Sequence, residues 1–163
     1  LYLEKIPYGY LTLARYQLPL PQDLWLLGTG TGLAPFLSML QDFETWNNYK
    51  QINLVYSVRT QAELAYVERI QEIAESFGEG HSGFKFIPII TRDPEAALHD
   101  RLPVLIANGE LEKAAAMQLN PETSHVMLCG NPDMVEDTKE ALKARGLTMN
   151  RRGEGNIAVE NYW

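Results

Sequence analysis

Along most of the chain, short apolar runs alternate with segments whose apolar residues recur at helical spacing. Leu24-Trp25-Leu26-Leu27 is the first such run. Leu33, Phe36, Leu37 and Leu40 then fall at i, i+3, i+4 and i+7, which puts them on one helical face. Residues 52–58 predict a second strand, and Val67, Ile70, Ala74 and Phe77 predict the apolar face of the helix after it. Thr60 and Glu63 have the spacing of a capping box for that helix, and Gly78 supplies its stop. Residues 84–90 predict a third strand, in which Pro88 argues for a sheet edge or a local irregularity. Residues 102–106 and 111–117 read as helical, with a break near Asn108-Gly109. Residues 125–128 form the fourth strand. Asn131 as N-cap and Pro132 at the first helical position then open a helix through Arg145 that stops at Gly146.

Strands that alternate with helices need crossover connections, and crossovers of this kind are right-handed. The expected fold is therefore α/β, a doubly wound parallel sheet of Rossmann-like character covered on both faces. Residues 1–16 depart from this pattern. Tyr2-Leu3-Glu4-Lys5-Ile6 and Tyr10-Leu11-Thr12-Leu13 flank Pro7-Tyr8-Gly9, an antiparallel hairpin signal. Residues 17–23, with Pro19-Leu20-Pro21, read as a polar, proline-marked linker, and residues 24–163 as the α/β domain. The chain starts at Leu1 rather than Met, as an excised piece of a longer protein would.

Composition narrows the chemistry. A length of 163 residues suits one domain, and 45% hydrophobic with 21% charged residues excludes disordered and collagen-like classes. No apolar run approaches the roughly 18–20 residues of a membrane span. The net charge of −7, from 14 basic against 21 acidic residues, argues against general nucleic-acid binding. It also makes any cluster of arginines informative. The single cysteine, Cys129, has no internal disulfide partner and fits a reducing compartment. His81, His99 and His125 with that cysteine make no metal-ligand pattern, so no metal is expected. His125, at the start of its strand, reads as structural, and Met127 and Met134 read as core.

In a doubly wound sheet, ligands bind beyond the carboxyl ends of the strands. After the first strand comes Gly28-Thr29-Gly30-Thr31-Gly32-Leu33-Ala34-Pro35. Its glycines let the backbone approach an anion at a helix start, although G-x-G-x-G misses the dinucleotide fingerprint by one residue. A tight structural turn is the alternative reading. After the second strand comes Ser57-Val58-Arg59, where an NAD site has an acidic residue for the ribose 2′-hydroxyl and an arginine suits a 2′-phosphate. The missing acid also argues against a methyltransferase. A solvated helix-start arginine is the plainer reading of Arg59 alone. Thr91-Arg92 ends the third strand, and Arg101 follows near the same edge. Three arginines there favour a clamp for a dianionic phosphate. Arg151-Arg152 read as solvated or partner-facing. After the fourth strand comes Cys129-Gly130-Asn131-Pro132, either a core cysteine beside a capped helix or a further ligand-facing turn. No acid–base set converges on these ends, and hydride transfer between cofactors needs none.

Together these residues resemble the NADP-binding domain of bacterial ferredoxin/flavodoxin–NADP reductases. The likeness is carried by Gly28–Pro35 in the glycine loop, by Val58-Arg59 with Ala62-Glu63-Leu64-Ala65-Tyr66, and by Cys129-Gly130-Asn131-Pro132. The aromatic ending Ala158-Val159-Glu160-Asn161-Tyr162-Trp163 adds to it. The resemblance implies that Arg59, Arg92 and Arg101 hold the 2′-phosphate of NADP(H), with Val58 and Thr91 at the adenosine end. It implies that Gly28, Gly30, Thr31, Gly32, Gly130 and Asn131 belong to the NADP(H) site, the glycine loop facing pyrophosphate and nicotinamide. Cys129 would lie near the nicotinamide without acting as an acid or base. Thr29, Tyr162 and Trp163 would touch FAD, which family members carry on an N-terminal antiparallel barrel. In the whole enzyme a hydride would pass between nicotinamide and flavin N5, and single electrons would go to ferredoxin or flavodoxin. A cytoplasmic monomer is expected.

One departure is large. The family's Arg-x-Tyr-Ser/Thr flavin motif is nowhere in the chain, and residues 1–16 match only the last hairpin of the barrel. The expectation is a chain that binds NADP(H) weakly or moderately, holds no stable FAD and lacks turnover by itself. The reductase half of a flavohaemoglobin or oxygenase system, and a non-catalytic nucleotide-binding domain, are the competing readings.

Overall fold

Strand β1 (Asp23–Thr29) explains the architecture. Successive side chains of a strand point to opposite faces, yet Leu24, Trp25, Leu26 and Leu27 are all buried. A strand apolar at every position needs cover on both sides. The computed structural model, which describes residues 23–64, 67–78, 83–150 and 155–161, supplies that cover. Among the described residues, β1, β2 (Gln51–Val58), β3 (Phe84–Ile90), β4 (Ser124–Gly130) and β5 (Ile157–Asn161) form one sheet in the order β3-β2-β1-β4-β5. Every neighbouring pair is parallel. The strand order reverses between β1 and β4, the position at which a doubly wound sheet opens a crevice. Among the described residues no helix is long and apolar enough to cross a membrane.

Helices α1 (Ala34–Leu40), α2 (Phe43–Asn48) and α3 (Val67–Phe77) cover one face. There Phe36, Leu40, Trp46, Ile70 and Ile73 pack with Leu24, Leu26, Ile52 and Leu54. Helices α4 (Leu102–Ala107), α5 (Glu110–Ala115) and α6 (Pro132–Ala144) cover the other. Leu102, Leu105, Ile106, Leu111, Val135 and Leu142 meet Trp25, Leu27, Val55, Val126 and Leu128 there. Helices as short as α4 and α5 are marginal in water, so burial holds them, at about 1.5–3 kcal/mol for each fully buried large apolar side chain.

Several expectations are refined. Among the described residues Pro88 does lie on an edge strand, where it sits opposite Tyr56 of β2. The break between α4 and α5 falls at Asn108-Gly109, with Gly109 in the left-handed region at φ 81°. The capping box of Thr60 and Glu63 is present, but it closes a 3-10 turn at Gln61–Glu63 and not α3, which begins at Val67. Asp23, grouped by composition with the linker, is the first residue of β1. Met134 is half-buried beside a cleft, whereas Met127 is core. Two elements have no counterpart in the sequence reading: α2, with its N-cap Asp42, and β5. The predicted hairpin of residues 1–16, the linker up to residue 22, Arg151-Arg152, Tyr162 and Trp163 lie outside the described residues.

The amino ends of β1 and β4 carry a buried polar cluster. The Asp23 carboxylate accepts hydrogen bonds from Trp25 Nε1 at 2.8 Å and from the Ser124 hydroxyl. Burial holds its pKa above the usual carboxylate value despite those bonds. His125, opposite Leu24 in the ladder, lies 2.7 Å through Nδ1 from the Tyr49 hydroxyl. Burial depresses the imidazole pKa to about 4 and raises that of the phenol, to which the negative charge of Asp23 adds. Both groups are therefore neutral where they share this buried hydrogen bond. His125 sits at the opposite end of the sheet from the cleft described next, and its role is structural.

Candidate functional site

The carboxyl ends of the strands converge on a cleft of about 1110 Å³. β1 contributes Thr29 and Gly30, β2 contributes Tyr56, Ser57, Val58 and Arg59, and the β3 end contributes Thr91 and Arg92. Arg101 enters from the start of α4, and Asn131, Asp133 and Met134 from the start of α6.

Hydrogen bonds beyond the strands fix these loops. Thr91 N donates to Val58 O and Arg92 N to Arg59 O, each at 2.9 Å. These two bonds, just past the named strands, bring two arginine-bearing turns together. Glu63 Oε1 accepts from the backbone N–H of Arg59 and of Thr60, both at 3.1 Å. Those bonds, Thr60's first, hold the Glu63 carboxyl below its usual pKa, with the Arg59 guanidinium assisting. Arg59 Nε lies 3.6 Å from the same oxygen, and Arg101 Nη2 lies 3.1 Å from Asp137 Oδ2. Across the crevice, Asn131 N donates to Thr29 Oγ1 at 3.3 Å, and the Tyr56 hydroxyl donates to Gly30 O at 2.7 Å. Asn131 Oδ1 caps α6 by accepting from Asp133 N and Met134 N.

The sequence-predicted residues fall into two groups. Thr29, Gly30, Val58, Arg59, Thr91, Arg92, Arg101 and Asn131 line the one cleft. Gly28, Gly32, Cys129 and Gly130 do not line it and serve in packing behind it. A Cβ on Gly32 would run into the Cys129 carbonyl, and one on Gly130 into the Thr29 side chain. A Cβ on Gly28 would come within 3.2 Å of the Phe36 ring. Gly30 differs, since a Cβ there meets nothing within 4 Å and only its φ of 53° favours glycine. Thr31 belongs to the 3-10 turn Gly30–Leu33. The Cys129 thiol is buried.

Ser57, in the strand-end segment singled out from the sequence, lines the cleft, as do Glu63, Tyr56, Asp133 and Met134, which sequence reasoning did not assign to it. Tyr56 could have been found from its place at the end of β2. Asp133 and Met134 follow the capped start of α6 by only a few residues. Among the described residues, no group of three or more His, Cys, Asp or Glu side chains could hold a metal ion. Among the described residues, the cleft offers the guanidinium groups of Arg59, Arg92 and Arg101 to an anion.

A doubly wound parallel sheet with an arginine-walled cleft at its switch point defines the class of α/β nucleotide-binding domains. The family model described as oxidoreductase NAD-binding domain matches residues 26–140, and the chain belongs to that family. It is 38% identical over 166 residues to the flavodoxin/ferredoxin–NADP reductase of Buchnera aphidicola subsp. Schizaphis graminum, covering 100% of this chain and 63% of the relative. It is 40% identical to that of Escherichia coli K12 over 150 residues, covering 90% and 59%. A ferredoxin NADP+ reductase from Neisseria gonorrhoeae, solved with bound FAD and NADP, superposes with a TM-score of 0.83 at 37% identity, covering 95% of this chain and 61% of that one. The resemblance read from the residues is thus shown. The flavohemoglobin of Malassezia yamatoensis, at 17% identity and a TM-score of 0.68, shares the fold. The chain spans about three fifths of the length of the reductases it matches.

Proposed function

We propose that this chain is the NADP(H)-binding domain of a ferredoxin/flavodoxin–NADP reductase. The observation that carries the reading is the meeting of Arg59, Arg92 and Arg101, from three separate connections, on one cleft of an acidic protein. Guanidinium groups suit a dianionic phosphate because they stay charged and present forked donors. Val58 and Thr91, between the arginines and the crevice, would flank the adenosine. The crevice between Gly30 and Asn131 has room for a pyrophosphate at the start of α1 and α6, where helix N-termini favour negative charge. The cleft thus fits an NADP-sized ligand in volume, charge and donors.

In the whole protein, FAD would exchange a hydride at N5 with the nicotinamide and pass single electrons to ferredoxin or flavodoxin. This chain's residues would bind and orient the dinucleotide. Cys129 is buried behind the Gly32 turn, so it would shape the approach from within the wall and move no proton. Thr29, at the mouth of the crevice, would be the described residue nearest a flavin, with Tyr162 and Trp163 stacking on it. A cytoplasmic monomer remains part of this reading.

The test is calorimetric titration with 2′-phospho-AMP and AMP. A charged hydrogen bond is worth about 1.5–3 kcal/mol, so the 2′-phosphate should tighten binding at least about 10-fold, and alanine at Arg59 or Arg92 should remove much of that gain. Equal affinities would sink the proposal.

A further inference from the structure

The three cleft arginines are held in different ways. Arg59 is tied locally to Glu63, four residues on. Arg92 makes no ion pair among the described residues. Arg101 is held by Asp137, which lies 36 positions away on α6. We propose that Asp137 is a positioning residue, keeping the Arg101 guanidinium at the cleft so that its remaining donors face a phosphate. The proposal rests on the reading of the cleft as a 2′-phosphate site.

Arg101 sits in extended backbone at the N-cap of α4, and its side chain is 55% exposed. An arginine so exposed spreads over many rotamers, and a ligand that uses it must first gather them. The bond from Nη2 to Asp137 Oδ2, at 3.1 Å, does that gathering beforehand. It occupies one of five guanidinium donors and leaves the others for a ligand. Asp137 follows Asp133 by one helical turn on α6, yet only Asp133 lines the cleft. The Asp137 carboxylate therefore restrains Arg101 from beside the cleft without occupying the ligand's place. Glu63 differs, because it lines the cleft and its Oε1 already serves the Arg59 turn. The carboxylate of Asp137 also repels a phosphate, and at 55% exposure solvent screens that repulsion as it screens the pair with Arg101, so the binding experiment decides the balance. The same helix is anchored at its start through Asn131 N to Thr29 Oγ1. A single rod thus sets the spacing between the crevice and Arg101.

The experiment titrates 2′-phospho-AMP and AMP into the wild-type chain, Asp137→Ala, Asp137→Glu, Arg101→Ala and the double variant Arg101→Ala/Asp137→Ala. Asp137→Ala should weaken 2′-phospho-AMP about 1.4- to five-fold, the range for an exposed ion pair, and leave AMP unchanged. Asp137→Glu should recover part of the loss, and Asp137→Ala should add nothing in the Arg101→Ala background. The proposal is overturned if Asp137→Ala leaves 2′-phospho-AMP binding unchanged or tightens it. Equal weakening of both nucleotides, or a loss that persists without Arg101, overturns it as well. A wild-type chain that binds both nucleotides equally overturns the 2′-phosphate reading and this proposal with it, whereas the variant outcomes overturn this proposal alone.

Discussion

His125→Gln should flatten the acid limb of this protein's stability curve. In the folded chain burial depresses the His125 pKa to about 4, against 6.5 for the free side chain. Between those values the unfolded chain binds a proton that the folded chain refuses, so stability falls as pH falls. The contribution is complete above about pH 6.5 and fully lost below about pH 4. At about 1.36 kcal/mol per pH decade, the interval amounts to about 3 kcal/mol. Asp23 works in the opposite sense. Its raised pKa makes the folded chain hold a proton longer, and stability from that source is lost as pH rises through it. That effect is common to both proteins and cancels in their difference. Glutamine keeps a group that can donate to or accept from the Tyr49 hydroxyl while removing the titration. Urea denaturation followed by fluorescence of the buried Trp25 and Trp46 at pH 7 and pH 4 measures the change. The wild type should lose about 3 kcal/mol more than the variant over that range. Equal losses, or an imidazole that titrates near 6.5 by NMR, would refute the reasoning.

Two further outcomes concern packing. Gly32→Ala, whose Cβ would overlap the Cys129 carbonyl, should cost roughly 1–3 kcal/mol and lower Tm by roughly 2–12 °C. Gly30→Ala has open space and only its positive φ against it, so it should cost about 1–2 kcal/mol at most, and a larger loss than at Gly32 would contradict the assignment. Arg145 reaches Glu112 at 2.6 Å and Ile106 O at 2.8 Å, while the other Glu112 oxygen accepts from Leu119 N. Arg145→Ala strands a buried carboxylate and should cost about 2–3 kcal/mol in urea denaturation, below the roughly 3–5 of a fully buried pair because Arg145 is a third exposed. A change under about 0.5 kcal/mol would show that the pair is idle.

The doubly wound parallel sheet was legible because β1, β2 and β4 each hold an apolar run (Leu24–Leu27, Leu54–Tyr56 and Val126–Cys129) and the helices between them carry a 3.6-residue period. α2 was not, since its six residues bury only Thr45 and Trp46 and leave Phe43 exposed. β5 was hidden by its length of five residues. In the candidate site, residues at strand ends were found by position. The partners that fix them were not, because Arg101 and Asp137 are 36 residues apart and Thr29 and Asn131 are 102 apart. No local pattern records such pairs. Spacing also could not separate the glycine that faces open space, Gly30, from Gly28, Gly32 and Gly130, whose missing side chains make room for neighbours.

The abutment of the Gly32 turn against the Cys129 carbonyl has a consequence for adaptation. Main chain resting on main chain has no rotamers to adjust, so the back of the cleft is a rigid mould whose depth is set before any ligand arrives. The rim is soft by comparison, made of arginines on separate loops with more than half of the Arg59 and Arg101 side chains in solvent. Under the proposed reading of the cleft, exchanging rim residues should retune which nucleotide is preferred, while the depth at which it seats stays the same.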